Sequence, residues 1–220
     1  MPSDEPLPRA RIISAVSVVA LCALALWWVF VRGERIPFLW GVDLGFHELG
    51  HLLAAWMPGL LPPLAGSVTQ LAVPLGLAGY FGLVRRQPLS ASLMLAWAGA
   101  SAQNASVYIA DAPSQYLPLL GGGNHDWAYI LAGHLDRAAP LARAVWFAGL
   151  LSVLAGLFMA AWPLVQPYVS AYPDSRERAR LATLPRREPR NRVPLPAAGM
   201  LEEERLPHAE SGQGSPGRST

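Results

Sequence analysis

A run of twenty residues without a charged side chain, Ile12 to Val31, constrains the fold of this chain more than any other feature. At about 1.5 Å per residue, a helix of that length crosses the roughly 30 Å hydrocarbon core of a bilayer. Ala144 to Val165 forms a second such run, and both carry tryptophan near one end, where interfacial aromatic residues lie. Because 52% of the residues are hydrophobic and only 15% are charged, we expect an integral membrane protein.

The hydrophobic segments predict an all-α fold, a polytopic transmembrane helix bundle of about five spans. These segments are 12–31, 36–57, 64–84, 89–110 and 141–165. A short N-terminal tail, 1–11, precedes the transmembrane helical domain, 12–168. The remainder, 169–220, is rich in Pro, Arg and Glu and lacks apolar periodicity, which is typical of a disordered tail.

The arginines favour one orientation and argue against a nucleic-acid partner. With five spans, Arg32, Arg35, the pair Arg85–Arg86 and the C-terminal tail lie on one side of the membrane. The positive-inside rule then predicts a cytoplasmic C-terminal tail. The net charge is only +2 and the arginines are scattered through loops and tail. We therefore predict that the protein lies in a lipid bilayer and does not bind nucleic acid.

The stretch FHELGH, residues 46–51, places three ionisable groups in the second hydrophobic segment. On a helix, His47 and His51 share one face because they are four residues apart. Two imidazoles at that spacing can bind one tetrahedral Zn²⁺, with Glu48 beside them to take a proton from water that the metal polarises. The alternative is that both histidines are neutral and pack between helices. Ionisable groups inside a membrane usually mark a site, which favours the metal.

A hydrolytic zinc site needs a third protein ligand. We expect Asp111, at the end of the fourth segment, to supply it. The sequence GGGNHDW offers His125 and Asp126 as alternative ligands, because three glycines allow that loop to fold back toward the helices. An external turn is the competing interpretation of this loop.

Other polar residues are predicted to support the site from a second shell. Asp43 lies one helical turn before His47 and is expected to orient its ring. Asn104 and Tyr108, on the face of the fourth segment that ends at Asp111, are expected to donate hydrogen bonds to a substrate carbonyl or its oxyanion. Gln70, in GSVTQ of the third segment, is interpreted as a packing residue that contacts a neighbouring helix, with a place in the lining of the site as the alternative.

The HELGH motif within a predicted span resembles the site-2-protease class of intramembrane zinc metallopeptidases. That resemblance implies zinc ligands at His47 and His51 and a catalytic acid/base at Glu48. The class takes a further ligand from an Asp on a later span, which matches Asp111, although YIADAP stands here where the class typically has Asn-Pro-Asp-Gly. HELGH together with GSVTQ, YIADA and GGGNHDW is also similar to bacterial integral membrane proteins, which implies a multi-pass protein of the bacterial inner membrane.

These observations predict a zinc metallopeptidase that hydrolyses a membrane-embedded or juxtamembrane polypeptide. Two alternatives from other classes remain open at this point. One is a non-catalytic metal-binding membrane scaffold, and the other is a metal or ion transporter whose polar helix faces line a pathway. The sequence leaves the oligomeric state unknown.

Overall fold

A computed structural model describes residues 9–119 and 124–170, with side chains described as far as Gln166. The described chain is all-helical, as predicted, and contains no strand in those ranges. The longer helices are α1 (Arg9–Leu26), α2 (Pro37–Ala54), α3 (Leu61–Gly79), α4 (Pro88–Ala110) and α6 (Ala138–Ser170). The short elements are the helix α5 (Asp126–Ile130) and a 3-10 turn (Leu135–Arg137) that leads into α6. Residues 1–8 of the predicted N-terminal tail, and the predicted disordered tail from residue 171 onward, lie outside the described residues.

Among the described residues, three helices have the length and apolar composition needed to cross a membrane: Arg9–Val31, Leu61–Val84 and Leu135–Gln166. The first two include a π-helical turn after α1 (Trp27–Val31) and another after α3 (Tyr80–Val84). The other two segments predicted as spans form α2 and α4, which carry most of the buried polar residues. That α2 and α4 also cross the bilayer stays a prediction.

Proline and glycine set the limits of the helices. Pro37 and Pro88 occupy the first turns of α2 and α4, where a missing N–H costs nothing because the first helical amides have no intrahelical partner. Gly33 and Gly59 precede α2 and α3 with φ of +69° and +70°, a backbone conformation that residues with a Cβ rarely adopt. Glycine at these two positions therefore allows the connections that lead into α2 and α3.

Helix α4 lies at the centre of the bundle and packs closely against α6. A Cβ on Gly99 of α4 would lie 2.6 Å from the carbonyl oxygen of Gly149 in α6, and a Cβ on Gly156 would lie 2.7 Å from that of Ser92. The hydroxyl of Ser152 in α6 also donates to the carbonyl of Leu95 in α4, at 2.8 Å. Small residues thus allow the two backbones to approach, as in membrane helix pairs generally.

Helices α2 and α3 form a hairpin with an equally close contact. A Cβ on Gly50 of α2 would overlap the backbone of Ala65 in α3 and lie 2.7 Å from Thr69 Oγ1. This contact brings the histidine face of α2 against α3. It therefore determines which α3 residues can reach the site.

We predict that Gly99→Ala destabilises the protein by about 1–3 kcal/mol, because the added methyl must push α4 and α6 apart. The matched control is Gly76→Ala in α3, where a Cβ meets nothing within 4 Å. That change is expected to be neutral or to stabilise by up to about 1 kcal/mol through helix propensity. Thermal unfolding in detergent measures both, and equal midpoints for the two variants would contradict the packing described.

Candidate metal centre

Helix α2 holds His47 and His51 side by side. Their ring centroids are 4.7 Å apart and the ring planes are inclined by 78°. His47 is buried and His51 is half-buried. The i, i+4 spacing of the motif therefore produces the paired imidazoles that the sequence predicts.

Asp126, the first residue of α5, places one carboxylate oxygen between the two rings. Its Oδ2 lies 3.1 Å from Nε2 of His47 and 3.2 Å from Nε2 of His51. Ligands about 2.1 Å from a tetrahedral zinc ion stand about 3.4 Å apart, close to these separations. Among the described residues, these three alone form a group of metal-ligating side chains whose ligand atoms lie within 4.8 Å of one another.

Backbone and side-chain acceptors face the other nitrogens of the two rings. Nδ1 of His51 lies 2.8 Å from the carbonyl oxygen of Pro62, and Nδ1 of His47 lies 3.2 Å from Oε1 of Gln70. A carbonyl oxygen can only accept, so Nδ1 of His51 carries a hydrogen. The neutral ring then turns the lone pair of Nε2 toward Asp126, and these two electron-rich atoms require a cation, a proton or a metal ion, between them.

Gly66 of α3 leaves room at the point where the histidine nitrogens converge. A Cβ on this residue would lie 2.7 Å from Nε2 of His47 and 2.7 Å from Nε2 of His51. Any side chain would therefore fill the space next to both candidate ligand atoms. The donor set of two imidazoles and one carboxylate, beside a glycine, fits a zinc ion.

Contacts from α3 and α4 position the short helix α5. The hydroxyl of Tyr108 donates to Oδ2 of Asp126, and the backbone N–H of Asp126 donates to that hydroxyl, both at 3.1 Å. The indole N–H of Trp127 donates to Oγ of Ser67 at 3.0 Å. Asp126 is thus held at the histidines from both neighbouring helices.

The structure does not bring Asp111, the expected third ligand, to the histidine pair. Its carboxylate ends α4 and accepts hydrogen bonds from the backbone amides of Tyr116 and Leu117, each at 3.0 Å, and from the Ser114 hydroxyl. Burial raises the pKa of Asp111, but the amides of Leu117 and Tyr116 and the Ser114 hydroxyl outweigh it and lower the pKa below its usual value. Asp111 therefore organises its own loop, and Asp126, one of the two alternatives, stands with the histidines.

His125, the other alternative ligand, lies beside the group and not in it. Its ring stacks on Tyr108 with centroids 4.2 Å apart, and its Nδ1 accepts from the backbone N–H of Ala128 at 3.3 Å. Its Nε2 faces Asp111 Oδ2 at 3.5 Å. Burial lowers the pKa of this imidazole although the nearby charges of Asp111 and Asp126 raise it. His125 therefore caps α5 and connects it to the end of α4.

The structure also places the predicted second shell differently. The buried carboxylate of Asp43 accepts from Nε1 of Trp97 and from Nδ2 of Asn104, both at 2.8 Å, and so links α2 to α4. Gln70, interpreted from sequence as a packing residue, is the residue at Nδ1 of His47. Gly66 and Gln70 are four residues apart on α3 and therefore share one helix face. That spacing is the sequence signal that places Gln70 near the histidines.

The histidines and Glu48 line a cavity of about 610 Å³. Glu48 is exposed, which leaves its carboxylate accessible from this cavity. The predicted hydrogen-bond donors Asn104 and Tyr108 line it too, with Asn104 donating to Asp43 and Tyr108 to Asp126. Apolar and aromatic side chains complete the wall, among them Trp40, Leu44, Leu117, Leu119 and Tyr129.

We predict that Gly66→Ala weakens zinc binding at least about tenfold, because the methyl group occupies space next to both Nε2 atoms. Competition with a chromogenic chelator measures the affinity. Gly45→Ala, on α2 with no atom within 4 Å of its Cβ, is the control and should bind as the unaltered protein does. Equal affinities for both variants would place the metal elsewhere.

We predict that Asp111→Asn lowers the thermal midpoint at neutral pH and flattens its dependence on acid pH. The folded pKa of Asp111 lies below the ordinary aspartate value of 3.8, so the unfolded chain binds more protons in the interval between the two values. Stability from Asp111 is thus present above the unfolded pKa and is lost as pH falls through the folded pKa. An unaltered pH dependence in thermal scans of the variant would refute this role.

Comparison with known proteins gives no relative on which to base a function. No protein-family model matches the chain, and no curated protein or solved structure matches it. A chemical role for His47, His51 and Asp126 therefore has to follow from their own geometry.

Proposed function

We propose that this chain is a membrane-embedded zinc metallopeptidase that hydrolyses peptide bonds in or beside the bilayer. The observation that carries the proposal is the convergence of His47, His51 and Asp126, with ligand atoms within 4.8 Å of one another, at the wall of a cavity that Glu48 also lines. Three helices of membrane-spanning length and composition support the location.

The number of ligands favours catalysis over a purely structural role. Structural zinc sites are closed by four protein ligands, whereas catalytic sites have three and leave one position open. Within the described residues, no fourth His, Cys, Asp or Glu joins the group. The cavity adjoins the same group, so a water molecule or a substrate carbonyl can approach from that side.

Each residue then has a chemical task. Zinc, when bound, would supply a Lewis acid that lowers the pKa of water to about 7. Glu48, next to a ligand in the sequence and accessible from the cavity, takes the proton as the water attacks and delivers it to the leaving amine. Tyr108 holds the Asp126 carboxylate, which keeps the third ligand in place.

The wall of the cavity indicates the kind of substrate. Apart from its charged residues, the lining is largely apolar and aromatic and suits an apolar polypeptide segment. A membrane-embedded or juxtamembrane segment has this composition. We place the protein in the bacterial inner membrane with a cytoplasmic C-terminal tail, as part of the same proposal.

We predict that purified protein, prepared without chelators, holds one zinc ion per chain and cleaves members of a set of quenched-fluorescent transmembrane peptides in proteoliposomes. Glu48→Gln should keep the zinc and reduce cleavage about 10²–10⁴-fold, because it removes proton transfer and no ligand. Elemental analysis and fluorescence measure the two effects.

Matched carboxylate variants test the ligand assignment in the same preparations. Asp126→Ala should lose zinc, whereas Asp111→Asn should retain it because the Asp111 carboxylate is used within its own loop. Protein without stoichiometric zinc would refute the metal site. Zinc binding without cleavage of any peptide would favour a non-catalytic scaffold, and zinc flux that survives Glu48→Gln would favour a transporter.

A further inference from the structure

We propose that Gln70 is a positioning residue that, held by Ser101, fixes the tautomer of His47 so that Nε2 is the nitrogen presented to Asp126. The inference deepens the proposed function, because it rests on a zinc site at His47, His51 and Asp126. Gln70 is not one of the three proposed metal ligands, and the inference gives its side-chain amide a role at the site.

The backbone of α4 determines the orientation of the Gln70 amide. Gln70 is buried at 6% exposure, and its Nε2 donates to the main-chain carbonyl of Ser101 at 3.2 Å. The hydroxyl of Ser101 in turn donates to the main-chain carbonyl of Gln70, also at 3.2 Å. Because a carbonyl oxygen can only accept, the NH₂ end of the amide must face Ser101. Its oxygen end must then face the opposite side, toward α2.

The orientation of the amide determines the tautomer of the imidazole. Oε1 of Gln70 lies 3.2 Å from Nδ1 of His47 and can only accept. Nδ1 must therefore carry the hydrogen, and in the neutral ring Nε2 presents its lone pair to Asp126, 3.1 Å away. Without this partner, the two tautomers of a neutral imidazole are close in free energy, and the ring loses a contact that fixes its rotation.

Both histidines thus have a hydrogen-bond acceptor at Nδ1, but the two acceptors are of different kinds. His51 depends on a main-chain carbonyl, that of Pro62, which side-chain substitution leaves in place. His47 depends on the Gln70 side chain, so its orientation can be changed by a single substitution. Partners of this kind typically account for 10–100-fold of metal affinity.

A role for Gln70 in helix packing alone predicts different behaviour from a role in orienting His47. If the residue only connected α3 to α4, the two hydrogen bonds with Ser101 would suffice, and the acceptor at His47 would be dispensable. Gln70→Met removes both the acceptor at His47 and the donor to Ser101, whereas Gln70→Glu removes only the donor, so the comparison of the two variants isolates the acceptor.

The first experiment needs no metal. Protein with ¹⁵N-labelled histidine is prepared without zinc, and the His47 nitrogens are assigned by their absence in His47→Ala. In the unaltered protein we expect Nδ1 to carry a hydrogen, and the proton that the Asp126 contact requires without zinc to lie between Nε2 and the carboxylate. In Gln70→Met we expect part of the population to lack the Nδ1 hydrogen, whereas Gln70→Glu, which gives up the bond to the Ser101 carbonyl but keeps an acceptor at Nδ1, should retain it. A His47 that is identical in the unaltered protein and in Gln70→Met would overturn the proposal.

The second experiment measures zinc affinity by chelator competition, with the Co²⁺ absorption spectrum as a check on ligand geometry. Gln70→Met is expected to bind zinc about 10–100-fold more weakly, and Gln70→Glu should lie closer to the unaltered protein. Ser152→Ala, which loses a hydroxyl-to-carbonyl bond between α6 and α4 away from the site, is the control for helix contacts in general. It should leave affinity unchanged.

The outcomes separate the failure of this inference from the failure of the proposed function. Tight zinc binding by both the unaltered protein and Gln70→Met would overturn the positioning role and leave the metal site intact. An unaltered protein that binds no zinc would overturn the zinc site, and the ¹⁵N measurement would still decide whether Gln70 fixes the tautomer.

Discussion

The contact of one Asp126 oxygen with the ring nitrogens of His47 and His51 requires four helices to meet at one point. Helix α2 carries the histidines, and Gly66 of α3 leaves room next to them. Helix α5 carries the carboxylate, which accepts a hydrogen bond from Tyr108 of α4. Since Nδ1 of His51 donates to a backbone carbonyl, the facing nitrogen offers a lone pair to a carboxylate oxygen. Only a positive charge between them, a proton or a metal ion, makes that approach favourable. The helices around the site thus bring together three electron-rich atoms that a shared proton or a bound metal ion would stabilise.

Several other buried polar groups form hydrogen bonds across helix boundaries, and these bonds specify how the helices fit together. An unpaired buried carboxylate or amide is costly in apolar surroundings. Asp43 accepts from Trp97 and Asn104, which aligns α2 with α4, and the reciprocal bonds between Gln70 and Ser101 align α3 with α4. Apolar contacts between Leu and Ala faces tolerate sliding, whereas these hydrogen bonds do not. The polar residues thus fix the relative positions of helices whose close approach depends on glycine.

Local periodicity allowed much of this arrangement to be predicted. The all-α class and the pairing of His47 with His51 follow from patterns within one helix, and the structure confirms both. The third ligand depends on the path of the connection after α4, which no periodicity encodes. Asp111 was favoured because it ends a polar helical face, but backbone amides of the next turn use its carboxylate. The contact between Gln70 and His47 is hard to predict for a related reason: Asp43 lies on the same helix stripe as His47, whereas Gln70 reaches the ring from another helix.

The short helix α5 shows why the site and its surroundings must form together. Five residues are far too few for a helix that is stable by itself, because nucleation costs more than one turn returns. The His125 side chain caps its first turn, Tyr108 holds its first residue and Ser67 binds the following tryptophan. A metal ion bound at Asp126 would add one more attachment at the same end, because binding to an ordered site is linked to the free energy of ordering it. A loop without helical periodicity thus becomes part of a residue group whose other half follows from the sequence of α2.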